Sequence, residues 1–235
     1  MMVVGGTINI AENIKRIRGV IEDAAAKSGR AGRDITLVAA SKTHGADSIR
    51  QAIAAGVDAV GENRVQEMTE KLAQGAYSGA PLHFIGHLQS NKIGKVVGVC
   101  DLIESVGSAE LLELIANKAL SLGIVQNALI EVNIGKEPQK SGVLPEQVSE
   151  VLEQASKTGG INVLGLMSIP PFFGENHSDY YYFDGMMKLF IDMGAKKYDN
   201  VSMRFLSMGM SDSYAEAIRA GSNMVRIGSA IFGAR

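Results

Sequence analysis

The chain has 235 residues, 23 of them Lys or Arg and 25 Asp or Glu, so its formal charge is −2. That leaves no basic excess to coat a phosphate backbone and argues against a sequence-blind nucleic-acid binder. Apolar residues make up 46% and charged residues 20%, the balance of a soluble globular protein and not of a disordered one. Cys100 is the only cysteine, which excludes an internal disulfide or a cysteine-cluster metal site and points to a reducing, cytoplasmic compartment.

The N-terminus, MMVVGGTINIAENIKR, has no basic region ahead of a long apolar run, so neither secretion nor membrane insertion is expected. The spacing of Ile14, Ile17, Val20, Ile21 and Ala24 predicts an amphipathic helix over Asn9 to Lys27. Short β-rich runs then alternate with longer helical patterns. The strand candidates are Ile35 to Ala40, Val57 to Gly61, Leu82 to Gly86, Leu102 to Val106, Ala128 to Val132, Val163 to Met167, Met203 to Leu206 and Met224 to Ile227. Helix candidates between them include Ser108 to Leu122 and Pro145 to Lys157.

Runs such as ITLVAA and NALIEV are nearly continuous in apolar residues, as strands buried on both faces of a parallel sheet must be. Eight such units in about 200 residues match an α/β fold of the (β/α)8 TIM-barrel type, with an extra N-terminal helix. The rival is an open doubly wound sheet. It gets no support from the glycine fingerprints of dinucleotide or P-loop sites, which are missing. No linker or low-complexity stretch interrupts the chain, so a single domain over residues 1–235 is expected.

A barrel of this kind builds its site where strands run into the following loops. Lys42 follows ITLVAAS; at the barrel mouth, partial desolvation would free its amine to attack a carbonyl. The alternative is a solvated loop lysine. The last stretch, LSMGMSDSYAEAIRAGSNMVRIGSAIFGAR, places Ser207, Gly209 and Ser211 after the seventh strand and Gly228 and Ser229 after the eighth. Small residues and hydroxyls in two neighbouring loops suit an anion, although either loop alone reads as ordinary helix capping. Arg226 interrupts the apolar last strand and is costly to bury unless it meets an acceptor. His44, His83 and His87 lack the carboxylate and spacing of a metal site, so no metal ligand is assigned. Cys100 reads as packing, and Met203, Met208 and Met210 as core or pocket lining. Tyr180 to Tyr182 open an amphipathic helix, and the loop with Lys136 and Lys140 either guards the mouth or is simply solvated.

The segments AASKTHG, GENRVQE, HFIGHLQSNK, EVNIGKEPQKSG, GLMSIPP, LSMGMS and VRIGSAIFGAR, in that order, closely resemble the pyridoxal phosphate homeostasis protein family, also called YggS/PROSC-like proteins. The resemblance covers essentially the whole chain. It implies a barrel of fold type III, related to the N-terminal domain of alanine racemase, that binds pyridoxal 5′-phosphate (PLP). It puts Lys42 at the family's Schiff-base lysine, Ser211, Gly228 and Ser229 at the cofactor phosphate with Met210 in the same loop, and Asn63 and Arg226 near the cofactor ring. Two positions depart from the family pattern. Ser213 stands where the family commonly has Asp, and is expected to cap the following helix; Ser229 stands where Thr is common and keeps the hydroxyl.

The function so implied is intracellular PLP (vitamin B6) homeostasis, holding the cofactor and delivering or buffering it, with apo PLP-dependent enzymes as partners and no assigned catalytic residue. A monomer is expected, because the related racemases and decarboxylases carry an additional β domain for which this length leaves no room. The alternatives are a racemase-like PLP enzyme using His87 or Tyr214 as base on an unidentified amino compound, and a lysine-dependent aldolase acting on a phosphorylated sugar.

Overall fold

The computed structural model describes residues 9–171 and 180–233. Its strands are β1 (Thr36–Ala40), β2 (Ala59–Glu62), β3 (Leu82–Phe84), β4 (Leu102–Val106), β5 (Gln126–Glu131), β6 (Ile161–Met167), β7 (Val201–Ser207) and β8 (Met224–Ile227). Each pairs in parallel with the next and β8 closes onto β1, giving a closed eight-stranded barrel. This is the expected barrel, and closure excludes the open-sheet rival. The run expected over Val57 to Gly61 starts two residues late and takes in Glu62, while the third strand ends at Phe84.

Helices surround the barrel: α1 (Ile10–Ala26), α2 (Ala46–Ala54), α3 (Val65–Ala73), α4 (Ala109–Ser121), α5 (Val148–Ser156), α6 (Tyr180–Gly194), α7 (Tyr214–Arg219) and α8 (Ser229–Phe232). Alternation with a helix after every strand holds except between β3 and β4, where a 3-10 stretch, Ser90–Lys95, makes the crossover. The last helix is a single turn, too short to cover β8 and β1. Helix α1 supplies the missing cover: Ile10, Ile14, Ile17 and Ile21 pack with Leu37, Ala39, Val225 and Ile227 in one buried cluster. The Asn9 side chain starts α1 by accepting the Glu12 amide at 3.1 Å. Arg30 ties its far end to the Ser222 carbonyl at 2.9 Å.

Side chains two apart on a strand face the same side. Val38, Ala59, Leu102, Leu129, Met167 and Met224, from six different strands, pack together, so they point into the barrel. Two residues further on, Ala40, Glu104 and Arg226 share that inward face above them. The β6–β7 register shifts at Gly165, whose φ of +145° and overlap between an added Cβ and the Phe205 carbonyl both require glycine.

Candidate functional site

The C-terminal mouth holds an open cavity of about 360 Å³, within the ~300–1,000 Å³ of small-molecule sites. All seven residues that the resemblance puts at the cofactor line it: Lys42 after β1, Asn63 after β2, Met210 and Ser211 after β7, Arg226 in β8, and Gly228 and Ser229 at the start of α8. Ile85 and Ile169 add apolar wall that sequence reasoning missed, because isolated isoleucines past a strand end carry no distinctive signal. His44 lines the same cavity and stacks on Phe232 with ring centroids 4.6 Å apart.

Lys42 itself is exposed, so the desolvation expected for its amine is not provided by the chain alone. On the β7 and β8 side, the Ser211 hydroxyl accepts the Ala230 amide at 3.2 Å and ties the two loops together. Gly209, at φ +97°, makes the close turn; an added Cβ would press on Ala217 at 2.6 Å. Ser213 does not cap α7 through its side chain as expected; its hydroxyl accepts the Met210 amide at 3.3 Å. The local turn brings that N–H closer than the helix amides.

Arg226 is buried and finds the acceptors its position demands. It donates to the Ser207 hydroxyl at 2.5 Å and to the Ser168 carbonyl at 2.9 Å, with the Glu104 carboxylate 3.8 Å away. Glu104, fully buried, also accepts from Ser207 at 2.6 Å and pairs with His83 Nδ1 at 2.7 Å. Burial alone would raise the Glu104 carboxyl. His83, Arg226 and Ser207 together outweigh burial and hold it below its ordinary value. Burial likewise draws the Arg226 guanidinium below the usual arginine range. The sequence reading passed over Glu104, although a carboxylate in LIESV and a guanidinium in MVRI, each alone in an apolar strand, were a complementary pair.

Asn63 Oδ1 is buried with no hydrogen-bond partner among the described residues. His83 belongs to the Glu104 network, and His87, one of the bases considered, borders two neighbouring clefts and not this cavity. Tyr214, the other, is also outside the lining. Lys140 pairs with Glu137 at 2.5 Å and borders one of the neighbouring clefts. Cys100 packs its sulfur 3.4 Å from that of Met68, and burial pushes the thiol up to about 12.

The site is thus a closed parallel barrel with a strand-end amine, a buried guanidinium and two Gly/Ser loops at one mouth, and comparison places that barrel in the alanine racemase class. The family profile described as "Alanine racemase, N-terminal domain" matches residues 8–235. An alanine racemase from Clostridium difficile shares the fold, with a TM-score of 0.68 at 18% identity over 97% of this chain and 56% of that one. Nearer relatives narrow the class. The pyridoxal phosphate homeostasis protein of Aquifex aeolicus is 38% identical over 97% of this chain and 99% of its own length; that of Escherichia coli K12 is 36% identical, covering 97% of each. The structure of PipY from Synechococcus elongatus with PLP bound superposes with a TM-score of 0.83 at 30% identity, covering 96% of this chain and all of that one. The chain belongs to the pyridoxal phosphate homeostasis protein family.

Proposed function

We propose that this protein binds PLP in the cavity at the barrel mouth and serves intracellular PLP homeostasis, holding the cofactor through Lys42 and releasing it to other amines. The observation that carries the reading is the convergence of Lys42, the Ser211, Gly228 and Ser229 loops and the buried Arg226 on one cavity. Bound PLP supplies an aldehyde that a primary amine can capture reversibly with release of water.

The residues present fit that group. Lys42 offers the amine. Ser211 and Ser229 offer hydroxyls for a phosphate, and Gly228 leaves room beside the Ala40 carbonyl, which an added Cβ would approach to 3.1 Å. Arg226, a donor that stays charged, faces the cavity from the inward side of β8, and Asn63 lines the same wall. The relatives named for PLP homeostasis and the PLP-bound PipY structure support the same reading. In this division of labour the phosphate loops retain the cofactor and Lys42 sets its covalent state; recipients are apo PLP-dependent enzymes.

The test is an absorption spectrum of the purified protein, then borohydride reduction and peptide mapping. The expected outcome is a yellow protein with the cofactor fixed to Lys42, and a Lys42→Ala variant that loses the covalent link yet keeps phosphate-anchored PLP. Protein that stays colourless and unlabelled after incubation with PLP overturns the proposal.

A further inference from the structure

Lys42 stands at the corner of a β-turn, Ser41 to His44, closed by the His44 amide donating to the Ser41 carbonyl at 3.0 Å. The next residue, Thr43, has φ +66°. A turn of this kind asks for glycine or asparagine there, and a β-branched residue in the left-handed region does not hold such a conformation unaided. Within the turn the Thr43 hydroxyl donates to the Lys42 carbonyl at 2.6 Å; the rest of the support comes from outside it.

Helix α3 supplies it from both sides. Glu67 Oε2 accepts the Thr43 amide at 2.9 Å. Lys71 Nζ donates to the Ser41 carbonyl at 3.1 Å and is itself held by Glu62 Oε1 at 2.7 Å, with Glu67 Oε2 3.8 Å away. Glu62 Oε1 also accepts from the Ser41 hydroxyl at 2.5 Å and from Tyr77 at 3.0 Å, so the base of the grip is a buried polar cluster. Glu67 and Lys71 are four apart on one helix face, one turn of rise from each other. That spacing lets them reach the groups immediately before and after Lys42. Arg64 steadies the other Glu67 oxygen at 3.4 Å.

We propose that Glu67 and Lys71 are positioning residues that grip the backbone on either side of Lys42 and set the direction in which its amine enters the cavity. This rests on the reading of Lys42 as the PLP amine. Neither residue lines the cavity.

The test separates covalent capture from anion binding in the full chain. Capture is the rate of borohydride-fixed pyridoxyl on the Lys42 peptide; anion binding is competition of PLP by inorganic phosphate. Losing one charge-assisted hydrogen bond, Glu67→Ala should slow capture about tenfold and leave the phosphate affinity within about twofold. Glu67→Gln, whose amide oxygen still accepts from Thr43, should capture at close to the wild-type rate. Thr43→Asn, suited to the left-handed turn, should restore most of the capture lost in Glu67→Ala. If Glu67→Ala fails to fold, Glu67→Asp, whose carboxylate is withdrawn by one methylene, is read on the same scale. Unchanged capture in a folded variant, or an equal fall in phosphate affinity, overturns the proposal and leaves α3 a purely structural support. A wild type never labelled at Lys42 overturns the cofactor reading itself and this inference with it.

Discussion

Removing the Glu104 carboxylate tests how the barrel interior carries its charge. Glu104 holds His83 at 2.7 Å and Ser207 at 2.6 Å, and lies 3.8 Å from the buried Arg226. In Glu104→Ala both charge-assisted contacts vanish and Arg226 keeps only neutral acceptors, so the loss should reach about 3–5 kcal/mol near neutral pH. Glu104→Gln keeps the shape and one acceptor oxygen but not the charge, and should lose about 2 kcal/mol. The assay is urea unfolding of each protein at a series of pH values.

The sign of the pH effect follows from the depressed Glu104 carboxyl. Its stabilisation is present above the ordinary value of 4.5 and disappears as pH falls through the lower value of the folded state. The gap between wild type and Glu104→Ala should therefore be widest near neutrality and close on the acid side. A loss below about 1 kcal/mol, or one that is the same in acid as at neutrality, would refute the claim that this carboxylate balances Arg226.

Three further outcomes follow. Ser211→Ala removes both a proposed phosphate donor and the acceptor of the Ala230 amide, so PLP affinity measured by titration should fall about five- to tenfold with far-ultraviolet dichroism unchanged. Burial raises the Glu131 carboxyl against the opposing effects of Ser141, Arg226 and His87. A raised carboxyl stabilises the fold below its ordinary value of 4.5 and loses that contribution as pH rises through the higher value of the folded state, so Glu131→Gln should gain on wild type in unfolding midpoint as pH climbs above that ordinary value; a gap that does not change with pH would count against it. Cys100, buried with its thiol pushed up to about 12, should ignore a thiol reagent in the native protein and react only on unfolding; rapid native labelling would contradict its packing.

Much of this protein was legible in local pattern. Runs such as ITLVAA and NALIEV marked strands because a strand covered on both faces has no room for alternation, and the helix spacing of Asn9 to Lys27 matched α1, Ile10–Ala26. Lys42, Ser211, Gly228 and Ser229 stood out as polar or small residues where apolar runs stop. The boundary errors at β2 and β3 are places where hydrogen bonding to a neighbouring strand overrides propensity, whereas the 3-10 crossover at Ser90–Lys95 rests on local bonds such as Lys92 N–H to the Gln89 carbonyl. The role of Ser213 was misread because capping and turn formation ask for the same residue types, and only the backbone path decides which amide the hydroxyl meets.

Local patterning sets the alternation of strand and helix, and with it which residues stand at strand ends. Those properties depend on burial and on neighbours within one element. That Glu104 of β4 faces Ser207 of β7 and Arg226 of β8 across the interior emerges with packing, because closure of the barrel joins inward side chains from strands far apart in the chain. Packing likewise lays α3 where Glu67 and Lys71 reach both flanks of Lys42. A helix face has a fixed spacing, but the backbone it meets is set by how the βα units pack.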